Sequence, residues 1–206
     1  MNFKEEKYIV IKNIISKELA NFLHEYFLIK KQVFVTFKES SYISKFNNDW
    51  GTSGDGQCPK SYSMYGDIAM DNLLNSLTDK ISEKSGYDLF PTYSYGRVYE
   101  KGAELEKHTD RESCAISGTL CLGGTDVWPI YLKDVNEKEI EINLKQGDIL
   151  LYSGCELEHW RNEFEGELCT QVFLHYNDKN GLDGDENKFD KRPHLGLPSF
   201  FKEDEL

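Results

Sequence analysis

The stretch GRVYEKGAELEKHTDRESC, residues 96–114, places a histidine and an aspartate, His108 and Asp110, one residue apart. The residues on either side of this pair alternate in the way that is typical of a half-buried β-strand. Because residues i and i+2 of a strand point to the same face, both side chains can project together into a barrel. The pair is therefore either part of a solvated strand face or two of the three protein ligands of a metal ion.

The residues from Tyr93 to Tyr176 form short β-rich runs that are separated by Gly, Asp and Asn turns. Such regularly spaced strands predict an all-β sandwich or barrel in this part of the chain. We expect about eight strands in a jelly roll, that is, a double-stranded β-helix. The runs are YSYGRVYE (93–100), CAISGTLCLGG (114–124), VWPIYLKD (127–134), KEIEINLKQGDILLYSG (138–154) and LCTQVFLHY (168–176).

Two amphipathic helices are predicted before the roll, which makes the chain an α+β protein. The second begins near Asp67 and ends at Gly86, and residues 47–59 between the helices are predicted to be a long loop that covers a site. We interpret residues 1–206 as a single domain with a helical part (1–90) that packs on the sheet, the jelly-roll core (91–177) and a C-terminal wrap or tail (178–206) with a frayed acidic end. The first helix begins after Ser16, and its predicted apolar face consists of Leu19, Phe22, Leu23, Tyr26 and Phe27.

The composition excludes several classes of partner. The 206 residues carry a formal net charge of -12, and an acidic surface repels phosphate backbones and anionic lipid, so we expect no nucleic acid and no membrane as partner. The five cysteines are odd in number and form no CxxC pair, which predicts free thiols in a reducing compartment. The N-terminal residues lack the apolar run of a signal peptide, and no stretch approaches the roughly 18 apolar residues of a membrane span. We therefore expect a cytoplasmic protein.

A third metal ligand has two candidates among the five histidines. His159 follows the run GDILLYSG (147–154) and a turn, whereas His175 lies in the last predicted strand. With His108 and Asp110, His159 would form the face of two histidines and one carboxylate that leaves positions of Fe(II) open in non-heme oxygenases. The absence of cysteine from this set argues against structural zinc. A chance H-x-D on a solvated strand is the alternative.

In the order of these motifs the sequence resembles the 2-oxoglutarate- and Fe(II)-dependent dioxygenases, particularly the prolyl-4-hydroxylase-like branch. The resemblance runs from about Tyr93 to Tyr176, through the strand that leads into H-x-D and the Gly147–Tyr152 strand. It implies that His108, Asp110 and His159 are the catalytic residues and bind Fe(II). It also implies 2-oxoglutarate as cosubstrate, O2 as oxidant and ascorbate as an optional reductant.

The far carboxylate of 2-oxoglutarate needs a buried cation, and a planar guanidinium can hold both of its oxygens. Four of the 24 basic residues are arginines, and two of them lie on predicted site strands. We predict Arg161, two residues after His159, as the anchor and Arg97 as the second candidate, with a surface ion pair as the alternative for each. The family usually carries a Lys or Arg in the stretch that corresponds to Leu168, Cys169 and Thr170, and none of these three residues is basic.

Three more residues are predicted to line the cosubstrate pocket. Tyr99 shares a strand face with Arg97, and in relatives the tyrosine of this strand often bonds the cosubstrate. Ser117 and Thr119 lie on one small, polar strand face, which is costly to bury unless a group such as a dicarboxylate bonds it. The alternative is that this face is turned to solvent.

Three hypotheses about function follow. The first is a dioxygenase (hydroxylase) that acts on a C–H bond of a protein side chain, prolyl among them, or of a small molecule. The second is a cupin-like metal-binding module without turnover, and the third is a jelly-roll interaction domain whose H-x-D is exposed to solvent.

Overall fold

The computed structural model describes residues 2–44, 46–181 and 185–202; the predicted frayed end at 203–206 lies outside the described residues. Its helices are α1 (Phe3–Glu6), α2 (Lys17–Glu39) and α3 (Ile68–Ser85). Its strands are β1 (Tyr8–Ile11), β2 (Thr52–Ser53), β3 (Ser61–Tyr65), β4 (Leu89–Glu100), β5 (Leu105–His108), β6 (Ile116–Gly124), β7 (Ile130–Lys133), β8 (Glu139–Ile142), β9 (Ile149–Tyr152), β10 (His159–Arg161) and β11 (Leu168–Asp178). Short 3₁₀ turns lie at Glu112–Cys114, Lys188–Lys191 and Ser199–Phe201.

Strands β4 to β11 form a roll of two antiparallel sheets. The larger sheet has the order β1-β9-β6-β11-β4-β3-β2, and the smaller sheet has the order β5-β10-β7-β8. Apart from the β7–β8 hairpin, successive strands of the roll cross from one sheet to the other, which is the connectivity of a double-stranded β-helix. The predicted α+β architecture with about eight roll strands is confirmed.

The N-terminal part contributes strands as well as helices, although only helices are predicted there from the sequence. β1 pairs with β9 at one edge of the larger sheet, and β3 pairs with β4 near the other edge. Strands of four and five residues are too short to show a clear period, and their pairing partners lie far away in sequence.

The predicted helix ends agree with the structure, but part of one apolar face does not. The Ser16 side chain accepts from the Leu19 N–H at 3.2 Å, and Gly86 ends α3 with a φ of 75°. Leu19 and Phe22, predicted to be buried, are 40% and 66% exposed. The buried residues of α2 are Ala20, Leu23, Phe27 and Phe34, so the helix is rotated relative to the predicted face.

The helices cover the outer face of the larger sheet, and its inner face lines the roll. In β9, Ile149 and Leu151 pack with the helices, whereas Leu150 and Tyr152 pack inside the roll. Phe27 of α2 lies so close to β4 that a side chain at Gly96 would overlap its ring. This alternation decides which side chains of β4, β6, β9 and β11 reach the interior.

The C-terminal segment passes beside the roll. The Asp190 carboxylate accepts from Tyr65 Oη at 2.6 Å and from two nitrogens of Arg111 at 2.7 Å each.

The five cysteines are all free, as predicted. None of the helices within the described residues has the length and apolar character needed to cross a bilayer.

Candidate metal centre and cosubstrate pocket

The structure brings His108, Asp110 and His159 together inside the roll. β5 and β10 are antiparallel neighbours, and His108 and His159 lie opposite each other in their register. Asp110 follows β5, and its N–H donates to the Gly154 carbonyl at 2.8 Å. Its Oδ1 lies 3.5 Å from Nε2 of each histidine. One ligand atom from each of the three residues falls within 4.8 Å of the others, a spacing that can hold a metal ion.

Both imidazoles are held in the tautomer that a metal requires. Nδ1 of His108 donates to the Glu106 carbonyl at 2.8 Å, and Nδ1 of His159 donates to the Leu157 carbonyl at 2.9 Å. Because a carbonyl can only accept, the proton lies on Nδ1, and Nε2 of each ring carries the lone pair that would bind an ion.

The electrostatics of the centre keep the Asp110 carboxylate ionised. Burial raises the pKa of this carboxyl, but the neighbouring imidazoles of His108 and His159 outweigh burial and hold its pKa well below the usual value. For His108, burial lowers the pKa, and the neighbouring Asp110 carboxylate more than offsets this effect. An anionic oxygen therefore lies beside two imidazole nitrogens, which is the donor set of a 2-His-1-carboxylate iron site.

The centre opens into a cavity of about 250 Å³. The predicted loop at 47–59 supplies two of its walls: the Gln57 amide lies 2.9 Å from His108 Nε2, and Asp55 lies at the rim. On the other side the Tyr152 hydroxyl lies 3.4 Å from His159 Nε2. The remaining lining residues are Tyr93, Tyr95, Arg97, Leu105, Phe173 and His175.

Arg161 lies two residues beyond His159 on β10, where the register with β5 shifts, and is 1% exposed. One of its nitrogens, Nη1, donates to the Trp128 carbonyl, and the guanidinium lies 4.9 Å from the Trp128 ring centre. Its Nε and Nη2 are buried and make no hydrogen bond, and no described carboxylate lies within ion-pair distance. An unpaired buried cation is costly, so this guanidinium lacks an anion.

The Tyr99 hydroxyl is the companion of Arg161. It is fully buried and makes no hydrogen bond of normal geometry, although Arg161 and Arg97 are close enough to affect it electrostatically. Burial raises the pKa of this phenol, and the two arginines only partly oppose the effect. The neutral hydroxyl is thus a free donor beside a free guanidinium.

Arg97, the second candidate for the anchor, already has partners. Its guanidinium forms an ion pair with Asp55 and donates through Nε to Ser63 Oγ at 3.1 Å. The same Asp55 carboxylate accepts from Tyr95 Oη at 3.0 Å. Arg97 lines the cavity and Arg161 does not, but the unpaired Nε and Nη2 of Arg161 favour it over Arg97 as the anion site.

The polar face of β6 points into the roll, but its hydroxyls are engaged by protein groups. Ser117 Oγ bonds Asp110 Oδ2 at 2.8 Å, and Thr119 Oγ1 bonds Gln171 Oε1 at 3.4 Å. His175 bonds Ser117 through Nδ1 at 2.9 Å and lies behind Asp110. Trp128 and Trp160 are both buried in packing positions.

Sequence reasoning missed Tyr152, Asp55 and Gln57 as neighbours of the centre. Tyr152 had a signal, because it closes an apolar strand on the inward-facing alternation and carries the strand's only polar group. Asp55 and Gln57 had none, since their positions depend on the path of an irregular loop.

No family model matches the chain in sequence, and no curated protein does. In fold it is similar to a prolyl-4-hydroxylase from Pseudomonas putida, with a TM-score of 0.61 and 10% identity over 84% of this chain and 94% of that one. HygX from Streptomyces hygroscopicus, solved with nickel and 2-oxoglutarate bound, gives 0.57 and 13% over 89% of each chain. EctD from S. alaskensis gives 0.63 and 17% over 98% of this chain and 82% of that one. The chain thus has the fold of 2-oxoglutarate–Fe(II) oxygenases, which is the fold that the sequence resemblance implied.

Proposed function

We propose that the protein is a non-heme Fe(II) dioxygenase that couples oxidative decarboxylation of 2-oxoglutarate to hydroxylation of a C–H bond. The observation that carries the proposal is the buried Arg161, whose Nε and Nη2 lack partners beside the unpartnered hydroxyl of Tyr99. Two guanidinium N–H groups and a phenol match the acceptor oxygens of one carboxylate. A solvated interaction surface would not need such a group.

The residues present also fit Fe(II). His108, Asp110 and His159 would hold the ion through two imidazoles and a carboxylate, and Arg161 and Tyr99 would hold the far carboxylate of the keto acid. Bound there, iron supplies the activation of O2 and the oxidative decarboxylation that yields succinate and CO2.

The protein's own residues orient the imidazole rings and limit the access of water to the cavity. The carbonyls of Glu106 and Leu157 fix both rings. The aromatic residues Tyr152 and Phe173 wall the cavity, which limits water around the reacting groups. Asp55 and Gln57 place the 47–59 loop at the mouth, where a substrate would enter.

The substrate that we propose is a protein side chain, prolyl among the candidates, or a small molecule. The cavity of about 250 Å³ beside the centre is of a size that suits a side chain or a small molecule. The net charge of -12 opposes binding to nucleic acid.

The test is succinate formation by the whole chain. Protein loaded anaerobically with Fe(II) and 2-oxoglutarate is exposed to O2, and succinate is measured by mass spectrometry. We expect slow succinate release without substrate, lost in Asp110→Ala and retained in His194→Ala, which removes an exposed histidine of the C-terminal segment.

Two other outcomes would give different functions. Tight Fe(II) binding that depends on Asp110, without succinate, would indicate the metal-binding module. Neither metal binding nor succinate would indicate the interaction domain.

A further inference from the structure

The two oxygens of Asp110 have different surroundings. Oδ1 faces the Nε2 atoms of both histidines at 3.5 Å. Oδ2 points away from them and accepts from Ser117 Oγ at 2.8 Å. A side chain at Gly154 would collide with Oδ2 and with Ser117 Oγ, so the chain leaves room for this contact and for nothing larger.

The Ser117 hydroxyl has more partners than hydrogens. It lies 2.8 Å from Asp110 Oδ2, 3.0 Å from the Cys114 carbonyl and 2.9 Å from His175 Nδ1. Its single hydrogen favours the charged carboxylate oxygen, because a charge-assisted hydrogen bond is the stronger one. Nδ1 of His175 must then be the donor to Ser117 Oγ.

His175 itself is held rigidly. It is 5% exposed, and its ring packs 4.5 Å from the centre of the Tyr93 ring. Because the hydrogen of Ser117 Oγ goes to Asp110, the ring can bond this hydroxyl only through an N–H of its own.

The group Asp110, Cys114 and His175 has metal-like spacing, with ligand atoms within 4.8 Å of one another. Hydrogen bonds already occupy it, however. Ser117 Oγ bridges Asp110 and His175, and Cys114 Sγ bonds Tyr93 Oη at 3.1 Å. His175 is therefore explained as a hydrogen-bond donor, not as a ligand of a second ion.

We propose that Ser117 and His175 are positioning residues that hold Asp110 as a one-oxygen ligand. With Oδ2 tied to Ser117, His108, Asp110 and His159 would each offer one donor atom to an ion and leave its other positions to a keto acid and O2. Without the tie, the carboxylate would be free to turn and offer both oxygens, which would remove one of these positions. The inference rests on the proposed function, because it concerns the same centre.

The test counts waters on Mn(II), which requires no keto acid. Proton relaxation of Mn(II)-loaded protein reports the number of water molecules on the ion. We expect about three in the wild type and about two in Ser117→Ala. Ser85→Ala, which removes a buried serine hydroxyl in α3, is the matched control and keeps the wild-type number.

The histidine variants separate positioning from general packing. His175→Asn keeps an N–H near the place of Nδ1, so we expect it to stay near three waters, whereas His175→Leu matches Ser117→Ala. Melting temperatures show that each variant is folded. An unchanged water number in Ser117→Ala, or equal loss in the Asn and Leu variants, overturns the proposal.

A second measurement keeps this test separate from the proposed function. Binding of 2-oxoglutarate to the Ni(II)-loaded wild type tests the function, and its absence would refute that proposal while the water count still judges Ser117. If the wild type binds the keto acid, Ser117→Ala should bind it at least about tenfold more weakly, which is the usual scale for a group behind a metal ligand.

Discussion

Replacing Arg161 by methionine should make the metal-free protein more stable and abolish 2-oxoglutarate binding. Arg161 is 1% exposed, and two of its nitrogens, Nε and Nη2, make no hydrogen bond. Such a group is a cost of folding that only an anionic ligand can remove. Methionine is unbranched and flexible, so it can fill the same slot without charge.

The magnitude follows from the contacts. Each unpaired buried nitrogen costs roughly 1–3 kcal/mol, so Nε and Nη2 together cost about 4 kcal/mol at the middle of that range. The substitution also removes the bond from Nη1 to the Trp128 carbonyl and the contact with the Trp128 ring, a loss of about 2.5 kcal/mol. The expected net gain is about 1–2 kcal/mol, or a rise in melting temperature of roughly 2–8 °C for a chain of this size.

The assay is thermal unfolding with a chelator, followed by unfolding with Mn(II) and 2-oxoglutarate. At a concentration of 100 times Kd, the keto acid should stabilise the Mn(II)-loaded wild type by about 2.7 kcal/mol and leave Arg161→Met unchanged, which reverses the order of the two proteins. Arg97→Met is the matched control. Arg97 is 3% exposed but is paired with Asp55, so its loss should destabilise the protein.

Two results would refute the reasoning. A metal-free Arg161→Met that melts below the wild type would mean that the guanidinium is satisfied by the protein. A keto-acid shift retained in this variant would mean that the anchor lies elsewhere, with Arg97 as the next candidate.

Two further predictions concern the groups around the metal. Burial lowers the pKa of His175 to about 4, below the roughly 6.5 of an unfolded histidine, so the metal-free protein should lose up to about 3 kcal/mol of stability as the pH falls from about 6.5 to 4. Urea unfolding at several pH values should show this loss, and His175→Asn should reduce it. The Gln57 amide occupies the lone pair of His108 Nε2 at 2.9 Å, so Gln57→Ala should bind Ni(II) several-fold more tightly by calorimetry, on the scale of one hydrogen bond of about 1 kcal/mol, whereas weaker binding would make Gln57 a helper of the ion.

Much of this fold follows from local sequence signals. The caps Ser16 and Asp67 and the C-terminal Gly86 mark helix ends by local hydrogen bonding and φ, which a sequence records directly. The burial of α2 was harder, because Phe22 fits a helical period but faces solvent. The buried face of the helix depends on where the sheet lies, as the contact of Phe27 with Gly96 shows. That position is set by tertiary packing and not by the local sequence.

The site shows the same division. The triad was predictable, because i, i+2 spacing and a distal histidine on a short strand are local patterns, and pairing of β5 with β10 did the rest. The partners of each polar group were not. Ser117 was expected to face the cosubstrate, yet it bonds Asp110 and His175, which depends on the relative offset of β6 and β11.

The place of Arg161 also has a consequence for ligand length. In β11, Cys169 packs with Phe164 and Thr170 bonds His24 at 2.8 Å, so these positions have other partners. Arg161 instead shares β10 with His159, about 6.7 Å further along the strand. Because one rigid strand then sets the distance between a metal ligand and the anchor, a keto diacid one methylene shorter or longer than 2-oxoglutarate should bind roughly 10-fold or more weakly to the Ni(II)-loaded protein. Equal affinity for oxaloacetate, 2-oxoglutarate and 2-oxoadipate by calorimetry would show that Arg161 does not fix the length of the ligand. A side chain that moves with its ligand would give this result, whereas one held at a set distance by its strand would not.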